Sequence, residues 1–308
     1  MKQVFLICTA SQAGKRLDQV IGEHLPQYSR TRIQKLIDQS TVLINNTCAK
    51  KASLSLKEND AITIQIPEAK PRPVPTTDAA KTFFTNHLIY THEHFIIVNK
   101  PAGLLTHPAP TAINETSLSD FLHVTYPETT SAGEEGREGI VHRLDKDTSG
   151  LILLARTLHG YTTLRKLFCE HAVQKTYVAL VEGHTPKTAT IPVPIMRDPL
   201  DPKKMMASYT GAGVTAVTHV ATLAQGLRSS LIQAKPKTGR THQIRVHLAH
   251  LGHPLLGDTL YGKEHPGIHR HALHATELSF VFDQEQVTVQ QPLPSDMVAC
   301  CAYEKISL

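Results

Sequence analysis

An uninterrupted apolar run, residues 151–155, lies near the middle of the chain between Gly150 and Arg156. A short apolar run with such boundaries is typical of a strand buried in a sheet. The nine residues before it, 142–150, are mostly polar and include two acids and three potential cations. We therefore predict a polar loop held at the edge of a sheet, a common position for catalytic residues.

Apolar residues recur at helical spacing twice near the N-terminus. The spacing predicts one short helix over residues 14–26 and a second after Ser29, which is a suitable N-cap. The buried faces would be formed by Leu17, Val20, Ile21 and Leu25 in the first helix and by Ile33, Leu36 and Ile37 in the second. Residues 42–44 and 62–66 follow strand patterns, and Asn45-Asn46 marks a turn.

Four prolines, at positions 67, 71, 73 and 75, follow this region. A segment of such composition is extended and semi-rigid. We therefore place a small domain at residues 1–66, a linker at residues 67–79 and a larger domain at residues 80–308.

Strand and helix patterns both occur in the larger domain. Strands are predicted at residues 95–98, 174–181, 216–222 and 230–235, the last two paired around a turn at Gln225-Gly226. Two helices are predicted, one over residues 159–172 with Leu164, Leu167 and Phe168 inward, and one with Ile244, Leu248 and Leu251 buried. Residues 127–139 are charged and rich in turn formers, so we expect a mobile loop there.

Hydrophobic residues make up 41% of the 308 residues, which is enough for a core. No apolar run approaches the ~20 residues that span a bilayer, and the apolar stretch at the N-terminus is too short for a signal peptide. The five cysteines are odd in number and include no Cys-x-x-Cys, so we expect reduced thiols. These features lead us to expect a cytoplasmic protein.

The positive charge is concentrated in the N-terminal quarter of the chain. Residues 1–70 contain 10 Lys and Arg against 6 Asp and Glu, whereas the rest contains 22 against 21. Such asymmetry indicates a polyanion-binding module attached to a nearly neutral body. The cations that lie off the predicted apolar faces there are Arg30, Arg32, Lys35, Lys50 and Lys51.

The 19 histidines raise the question of metal binding. His92-x-His94 and His269-x-His271-x-x-His274 bring histidines together in the sequence. Neither has the His-Glu-x-x-His spacing, and no Cys or carboxylate completes a ligand set. We therefore expect ordinary surface or core histidines and no metal site.

The polar loop at residues 142–150 reads His-Arg-Leu-Asp-Lys-Asp-Thr-Ser-Gly, with Asp145 between Arg143 and Lys146. From local charge alone, Asp145 is either part of a surface ion pair or a catalytic acid at a strand end, and ion pairs are the commoner case. The residues by themselves do not identify a reaction.

This loop closely resembles the active-site motif of the RluA-type pseudouridine synthases, His-Arg-Leu-Asp-x-x-Thr-Ser/Thr-Gly. Residues 239–247, Gly-Arg-Thr-His-Gln-Ile-Arg-Val-His, are nearly identical to a second motif of that family. Further resemblances follow in the family's order: Asn-Lys-Pro-x-Gly at 99–103, Lys-x-Tyr at 175–177 and Pro-Ile-x-Arg-Asp-Pro…Lys-Lys-Met at 194–205. The C-terminal region departs from the family, because Phe-Asp-Gln-Glu at 282–285 replaces its usual His-Pro-x-Thr-Gly turn, which puts a peripheral hairpin in doubt.

The resemblance implies a reaction that needs neither a metal nor an organic cofactor. The bond from uracil nitrogen to ribose is broken, the base is turned, and it is rejoined through carbon. Asp145 would be the catalytic carboxylate, either as a nucleophile or by assisting glycal formation. Arg245 would keep it ionised against the effect of burial, and Tyr177 would stack on the uracil and take part in the final proton removal.

The remaining roles that the resemblance implies are in binding. Arg143 would fill the space left by a flipped-out nucleotide, since the target base must leave its stack. Further substrate contacts would come from His142, Thr148 and Lys100. Residues 14–66 resemble the alpha-L RNA-binding motif, so that the phosphate contacts would be Arg30, Arg32, Lys35, Lys50 and Lys51, joined by Lys203 and Lys204 of the larger domain.

For the fold, the resemblance implies an α+β catalytic domain with a mixed, mostly antiparallel central sheet, preceded by a small α+β RNA-binding domain. The implied substrate is large-subunit ribosomal RNA, with transfer RNA as the alternative. Two other classes stay open. A nucleoside hydrolase or glycosylase would release free uracil, and a non-catalytic RNA-binding or ribosome-assembly protein would not need Asp145, Tyr177 and Arg245 together. We expect a monomer that binds RNA and no membrane.

Overall fold

The computed structural model describes residues 2–26, 28, 30–67, 73–109, 112, 114–133 and 137–308. The chain divides between Pro73 and Val74 into two compact units. Ser29, which the sequence suggests as a helix cap, and residues 68–72 of the predicted linker lie outside the described residues. No helix in the described part of the chain combines the length and the apolar character needed to cross a membrane.

The first unit has a four-stranded antiparallel sheet and two helices around one core. Its elements are β1 (Lys2–Ile7), α1 (Leu17–His24), α2 (Arg30–Asp38), β2 (Val42–Ile44), β3 (Thr47–Cys48) and β4 (Ala61–Ile66), with sheet order β1-β4-β2-β3. All seven apolar helix positions predicted from the spacing are buried. Asn45 and Asn46 form the predicted turn, both with positive φ. The pattern did not predict β1, because its residues alternate weakly.

The second unit is built on a nine-stranded sheet in which eight strands run in the order β5-β6-β7-β14-β8-β13-β12-β9 and β15 pairs with β14. The strands are β5 (Leu88–Thr91), β6 (Phe95–Lys100), β7 (Ser149–Ala155), β8 (Gln174–Glu182), β9 (Thr188–Ile191), β12 (Thr218–Gln225), β13 (Ser229–Pro236), β14 (Leu273–Phe282) and β15 (Glu285–Gln290). A separate hairpin joins β10 (Ile195–Arg197) to β11 (Met205–Ala207). Only the β7–β14 pairing among these is parallel, which confirms the mixed, mostly antiparallel sheet.

Helices and side chains cover both faces of this sheet. The helices are α3 (Thr77–His87), α4 (Leu118–Thr125), α5 (Leu158–Cys169), α6 (Gln243–His250) and α7 (Ser295–Tyr303), with a 3-10 helix at Pro127–Ser131. Strand β7 is buried along its whole length, as an apolar run without alternation predicts. Ile152 and Leu154 belong to the core on one face, and Leu151 and Leu153 to the core on the other.

The structure differs from the prediction at several boundaries and in one loop. The linker was extended to residue 79, but α3 already begins at Thr77, because the Thr76 hydroxyl accepts the Ala79 N–H and caps the helix. Part of the predicted mobile loop is a 3-10 helix in which Thr129, Thr130 and Ser131 each donate a hydroxyl proton to a carbonyl three residues back. Strand β12 begins at Thr218 rather than residue 216, and α5 ends at Cys169.

The C-terminal hairpin that the altered turn put in doubt is present. Strands β14 and β15 pair in register from Glu277 with Gln290 to Phe282 with Glu285. Asp283 and Gln284 both have positive φ, the conformation that a tight two-residue hairpin turn requires. Asp tolerates that conformation well, so the sequence change preserves the turn.

The parallel pair β7–β14 brings the loop before β7 next to the loop before β14. Gly150 is opposite Ala275 of β14, and Ala275 is opposite Tyr177 of β8. Gly150 has φ +113°, and a Cβ there would be 2.3 Å from the Ala275 carbonyl oxygen, so that only glycine fits. The loop before β7 and the loop before β14 therefore lie side by side, with Tyr177 two strands away from Gly150.

Candidate active site

Two basic side chains, the buried Lys100 and the half-buried Arg270, form hydrogen bonds with the main chain of the loop that precedes β7. Lys100, at the end of β6, is fully buried and donates to the carbonyl oxygens of Pro101, Leu104 and Lys146 at 2.8–2.9 Å. On the other side, Arg270 donates from Nη1 to the carbonyl oxygen of Asp147 at 3.1 Å. Residues 146 and 147 are thus held just after Asp145.

This placement corrects one sequence-based assignment. Lys100 was expected to contact the substrate, but its three ammonium protons all have backbone acceptors and its side chain has no exposed surface. The motif match had indicated only that a lysine lies beside the site. Its role in the structure is to hold the turn at residues 101–104 against the loop at residue 146.

Asp145 and Arg245 face each other across the site. Arg245 Nη1 lies 3.2 Å from Asp145 Oδ2, and the two side chains are 9% and 17% exposed. Burial raises the pKa of Asp145, but the positive charge of Arg245 and that of His242 when protonated outweigh it, so the pKa lies below its ordinary value. Asp145 is therefore an ionised carboxylate at neutral pH, as the sequence analysis expected.

Asp258 orients the guanidinium of Arg245. Its two carboxylate oxygens accept from Arg245 Nε at 2.7 Å and Nη2 at 2.8 Å, a bidentate pair that leaves Nη1 for Asp145. Asp258 is 1% exposed and also accepts the backbone N–H groups of Leu260 and Tyr261. The sequence analysis assigned no role to this acid, because two acids around one buried arginine can be recognised only once the chain is folded.

Two histidines complete the surroundings of Asp145. His242 Nε2 lies 3.8 Å from Asp145 Oδ2. His271 accepts or donates a hydrogen bond at 2.7 Å with the hydroxyl of Thr148, and burial together with Arg245 lowers the pKa of His271 to about 3. Neither histidine was predicted as a site residue, although His242 lies inside the second motif. Thr148, which was predicted to contact the substrate, is 2% exposed and lines the cavity next to His271.

A cavity of about 610 Å³ opens onto Asp145. Tyr177, Arg143, His142 and Thr148 all line it, as does Arg245. Burial, and then the Asp145 charge, raise the pKa of Tyr177, which keeps its hydroxyl protonated. The sequence prediction had placed these side chains at one site, and the fold brings all of them to one cavity.

His142 and Arg143 both line this cavity, but they differ in exposure and in the number of contacts they make with the protein. His142 accepts the Leu153 N–H at Nε2 (2.9 Å) and its ring stacks on Phe168, so most of its contacts are structural. Burial lowers the pKa of His142 to about 3, and the ring is neutral. Arg143 is exposed and has no ion pair with any described residue, which leaves its guanidinium available at the mouth of the cavity.

The predicted RNA contacts of the first unit are at its surface. Arg30, Arg32 and Lys35 are exposed on α2, and Lys50 and Lys51 are exposed after β3. Arg30 also lies 3.3 Å from Asp18, which Arg16 pairs as well. In the second unit, Lys203 is exposed and Lys204 half-buried in the turn between β10 and β11.

Comparisons with known proteins agree with this arrangement. Residues 94–250 match the RNA pseudouridylate synthase family, and residues 15–62 match the S4 domain. The ribosomal large subunit pseudouridine synthase D of Zymomonas mobilis is 33% identical over 301 residues, which cover 94% of this chain and 93% of that protein. An uncharacterized RNA pseudouridine synthase of Synechocystis is 36% identical over 298 residues, covering 94% and 89%.

A solved structure has the same fold. The human protein named RNA pseudouridylate synthase domain containing 1 superimposes with a TM-score of 0.57 at 29% identity, over 69% of this chain and 86% of that one. The family match over residues 94–250 and relatives that are 33–36% identical over nearly the whole chain show that this chain belongs to the RNA pseudouridylate synthase family and is an RNA-modifying isomerase with an S4 domain at its N-terminus.

Proposed function

We propose that this enzyme converts uridine to pseudouridine in large-subunit ribosomal RNA, with Asp145 as its catalytic carboxylate. The observation that supports this most is the setting of Asp145. Among the described residues that line the cavity, it is the sole carboxylate, and Arg245 lies 3.2 Å from it. An ionised, partly accessible carboxylate is what attack at the anomeric carbon, or removal of a neighbouring proton, requires.

The rest of the cavity suits a nucleotide. Its volume of about 610 Å³ is in the range of ligand sites. Arg143, Arg165, Lys175 and Arg240 line it and can contact phosphate groups. A flipped-out uridine would then place its ribose at Asp145, its base against Tyr177 and its phosphates at the cationic rim.

The ribosomal substrate rests on the relatives and on the first unit. The Zymomonas mobilis relative is named for the large ribosomal subunit, and the similarity covers nearly the whole of both chains. The S4 domain carries the exposed cations of α2 and the Lys50-Lys51 pair, which supply counterion release on a folded RNA. The cytoplasmic location and the monomeric state expected from the sequence remain predictions.

Release of tritium from RNA labelled at carbon 5 of uridine tests the proposal. Unmodified large-subunit ribosomal RNA and bulk transfer RNA serve as separate substrates. We expect release from the ribosomal RNA, with pseudouridine and no free uracil among the products. Free uracil would indicate a glycosylase. Tritium release from transfer RNA alone would show that transfer RNA, and not ribosomal RNA, is the substrate.

The role of Tyr177 can be separated from binding with Tyr177→Phe. Phenylalanine keeps the ring that would stack on uracil but removes the hydroxyl through which the carbon-5 proton would be relayed. General acid–base groups contribute about 10²–10⁴-fold, so we expect tritium release to fall by about 10²-fold or more. Cleavage of the original glycosidic bond, followed in a single turnover, should fall much less.

Tyr177→Leu is the matched variant for this experiment. It removes both the ring and the hydroxyl, and we expect it to slow cleavage and tritium release together. If Tyr177→Phe instead retains full tritium release, another group removes the proton and Tyr177 acts only through stacking.

Binding by the S4 domain predicts a change in salt dependence. In the variant Lys35→Gln/Lys50→Gln/Lys51→Gln, three exposed cations are removed from the first unit. Each lost phosphate contact lowers the slope of log affinity against log salt by about 0.7–0.9, so we expect the slope to fall by about two to three. Filter binding to ribosomal RNA at several salt concentrations measures it.

A control with the same change in net charge is Lys81→Gln/Lys166→Gln/Lys187→Gln, three exposed lysines of the second unit. We expect this variant to leave the slope within experimental error of the wild type. Equal slopes for the two triple variants would show that general charge, and not the S4 surface, determines RNA affinity.

A further inference from the structure

His242 adopts a backbone conformation that is uncommon for a residue with a side chain. Its φ is +55°, in the left-handed region, and it immediately precedes α6. The side chain of Gln243 keeps this turn in place, accepting from the Thr238 hydroxyl and the Arg240 N–H and donating to the Val217 carbonyl oxygen. Such a conformation at a site is held by its surroundings and directs the side chain, here into the cavity beside Asp145.

A chain of hydrogen bonds determines which ring nitrogen of His242 carries the proton. The Met205 N–H donates to the Tyr261 phenol oxygen at 2.8 Å, and that oxygen lies 2.8 Å from His242 Nδ1. The phenol proton has no other acceptor among the described residues, so we assign its donation to Nδ1. Nδ1 is therefore an acceptor, and the proton of the neutral ring is on Nε2.

The Nε2–H group is not used by the protein itself. Asp145 Oδ2 is 3.8 Å from Nε2, which is too far for a direct hydrogen bond, and no other described residue accepts one from Nε2. Both side chains are 17% exposed and reach the same cavity. An oxygen atom of a bound nucleotide can lie within hydrogen-bond distance of Nε2 while Asp145 is in contact with the ribose.

The charged groups around His242 favour the neutral ring. Asp145 and Asp258 attract a proton, whereas Arg245, Arg143 and burial disfavour it, and burial is the largest effect. A proton on Nδ1 would also oppose the proton that Tyr261 donates. The ring therefore keeps a single N–H, directed at the cavity, at neutral pH.

We propose, on the basis of the proposed function, that His242 is a catalytic residue that donates a hydrogen bond from Nε2 to the uracil O2 as the base departs. Asp145 supplies an electron pair, either to ribose C1′ or to the C2′ proton. In both routes the electron pair of the C1′–N1 bond leaves with uracil and is delocalised onto O2. His242 keeps its proton throughout and stabilises this negative charge, as donors at an oxyanion do.

Two substitutions of His242 test the proposal, because they differ in side-chain length and in how well they tolerate the left-handed backbone conformation. Gln places an N–H near the position of histidine Nε2, whereas Asn is too short to do so but tolerates the left-handed conformation best. We expect His242→Gln to keep single-turnover cleavage within about tenfold of the wild type and His242→Asn to lose about 10²-fold or more, the usual cost of one oxyanion donor. Urea unfolding should show His242→Asn to be at least as stable as His242→Gln.

A better leaving group gives an independent readout. Fluorine at carbon 5 withdraws electrons from uracil, so that departure depends less on a donor at O2. With the same ribosomal RNA transcribed from 5-fluorouridine triphosphate, we expect the defect of His242→Asn in glycosidic cleavage to shrink to about tenfold or less.

The outcomes are distinct. Equal activity of the Gln and Asn variants, or a defect of His242→Asn that fluorine leaves unchanged, would overturn the role of His242 as a donor to the base. Wild-type enzyme that forms no pseudouridine in the ribosomal RNA without fluorine would instead refute the proposed function, which the wild-type arm of the assay on that RNA measures directly.

Discussion

Asp145→Asn is expected to abolish pseudouridine formation, by at least about 10⁴-fold, because the amide can neither attack carbon nor accept a proton as the carboxylate does. The fold should tolerate the change. Arg245 keeps its bidentate partner Asp258, so that no buried charge is left unpaired. Affinity for RNA should stay close to that of the wild type, since phosphate contacts determine it. Tritium release and filter binding on the same preparation measure both quantities.

Asp147→Asn is the matched control for this prediction. Asp147 belongs to the same loop, but its carbonyl oxygen, not its carboxylate, contacts Arg270. The same loss of one negative charge should therefore leave turnover near the wild-type value. Appreciable turnover by Asp145→Asn, or a comparable loss in Asp147→Asn, would contradict the assignment of the catalytic carboxylate.

Arg245→Met is expected to reduce both stability and activity. It leaves Asp258 and Asp145 buried without their cation, and breaking such a pair from one side costs about 3–5 kcal/mol in the free energy of unfolding. Loss of a charge that lowers the pKa of Asp145 and of Asp258 should also raise both values. Urea unfolding and the pH profile of kcat/KM are the measurements.

The sign of the pH dependence follows from these shifts. In the wild type the depressed pKa values make the carboxylates contribute stability above their ordinary range and lose it as pH falls through the depressed values. In Arg245→Met the raised values destabilise the fold at neutral pH, and the penalty disappears once the acids are protonated. The stability difference between the two proteins should thus be largest near neutrality and shrink on acidification, while the acidic limb of kcat/KM moves to higher pH.

An exposed arginine provides the comparison. Arg228→Met removes the same group from the surface of the second unit and should change stability by no more than about 0.5 kcal/mol. A stability difference for Arg245→Met that stays constant between acidic and neutral pH would show that packing, and not the pairing of buried charges, accounts for its loss.

Much of the fold followed from local patterns in the sequence. Strand β7 was predicted from its apolar run, and the helices of the S4 domain from the spacing of Leu17, Val20 and Ile33. Ends of elements were predicted less well, because single side-chain contacts such as the Thr76 cap determine them. Leu251 shows the same limit: it continues the helical spacing but lies after the last turn of α6 and is 38% exposed.

Site residues that belong to a sequence motif could be predicted, whereas those that depend on long-range contacts could not. Asp145 and Tyr177 come together because β7, β14 and β8 are neighbours, and Arg245 reaches them from α6; the local pattern of the sequence encodes neither placement. The importance of Asp258 depends on its pairing with Arg245, and that of His242 on a φ of +55°. Lys100 was assigned to the substrate because a motif gives the residue but not the direction of its side chain.

The fastening of the catalytic loop by Lys100 and Arg270 has a consequence for how such enzymes can diverge. Lys100 donates to the carbonyl oxygen of residue 146 and Arg270 to that of residue 147. Every amino acid has this backbone oxygen. Side chains at these two positions can drift during evolution without moving the carboxylate that precedes them. This accounts for the two unspecified places in the family pattern between its aspartate and its threonine, and it makes those places suitable for introducing a spectroscopic label beside a working active site.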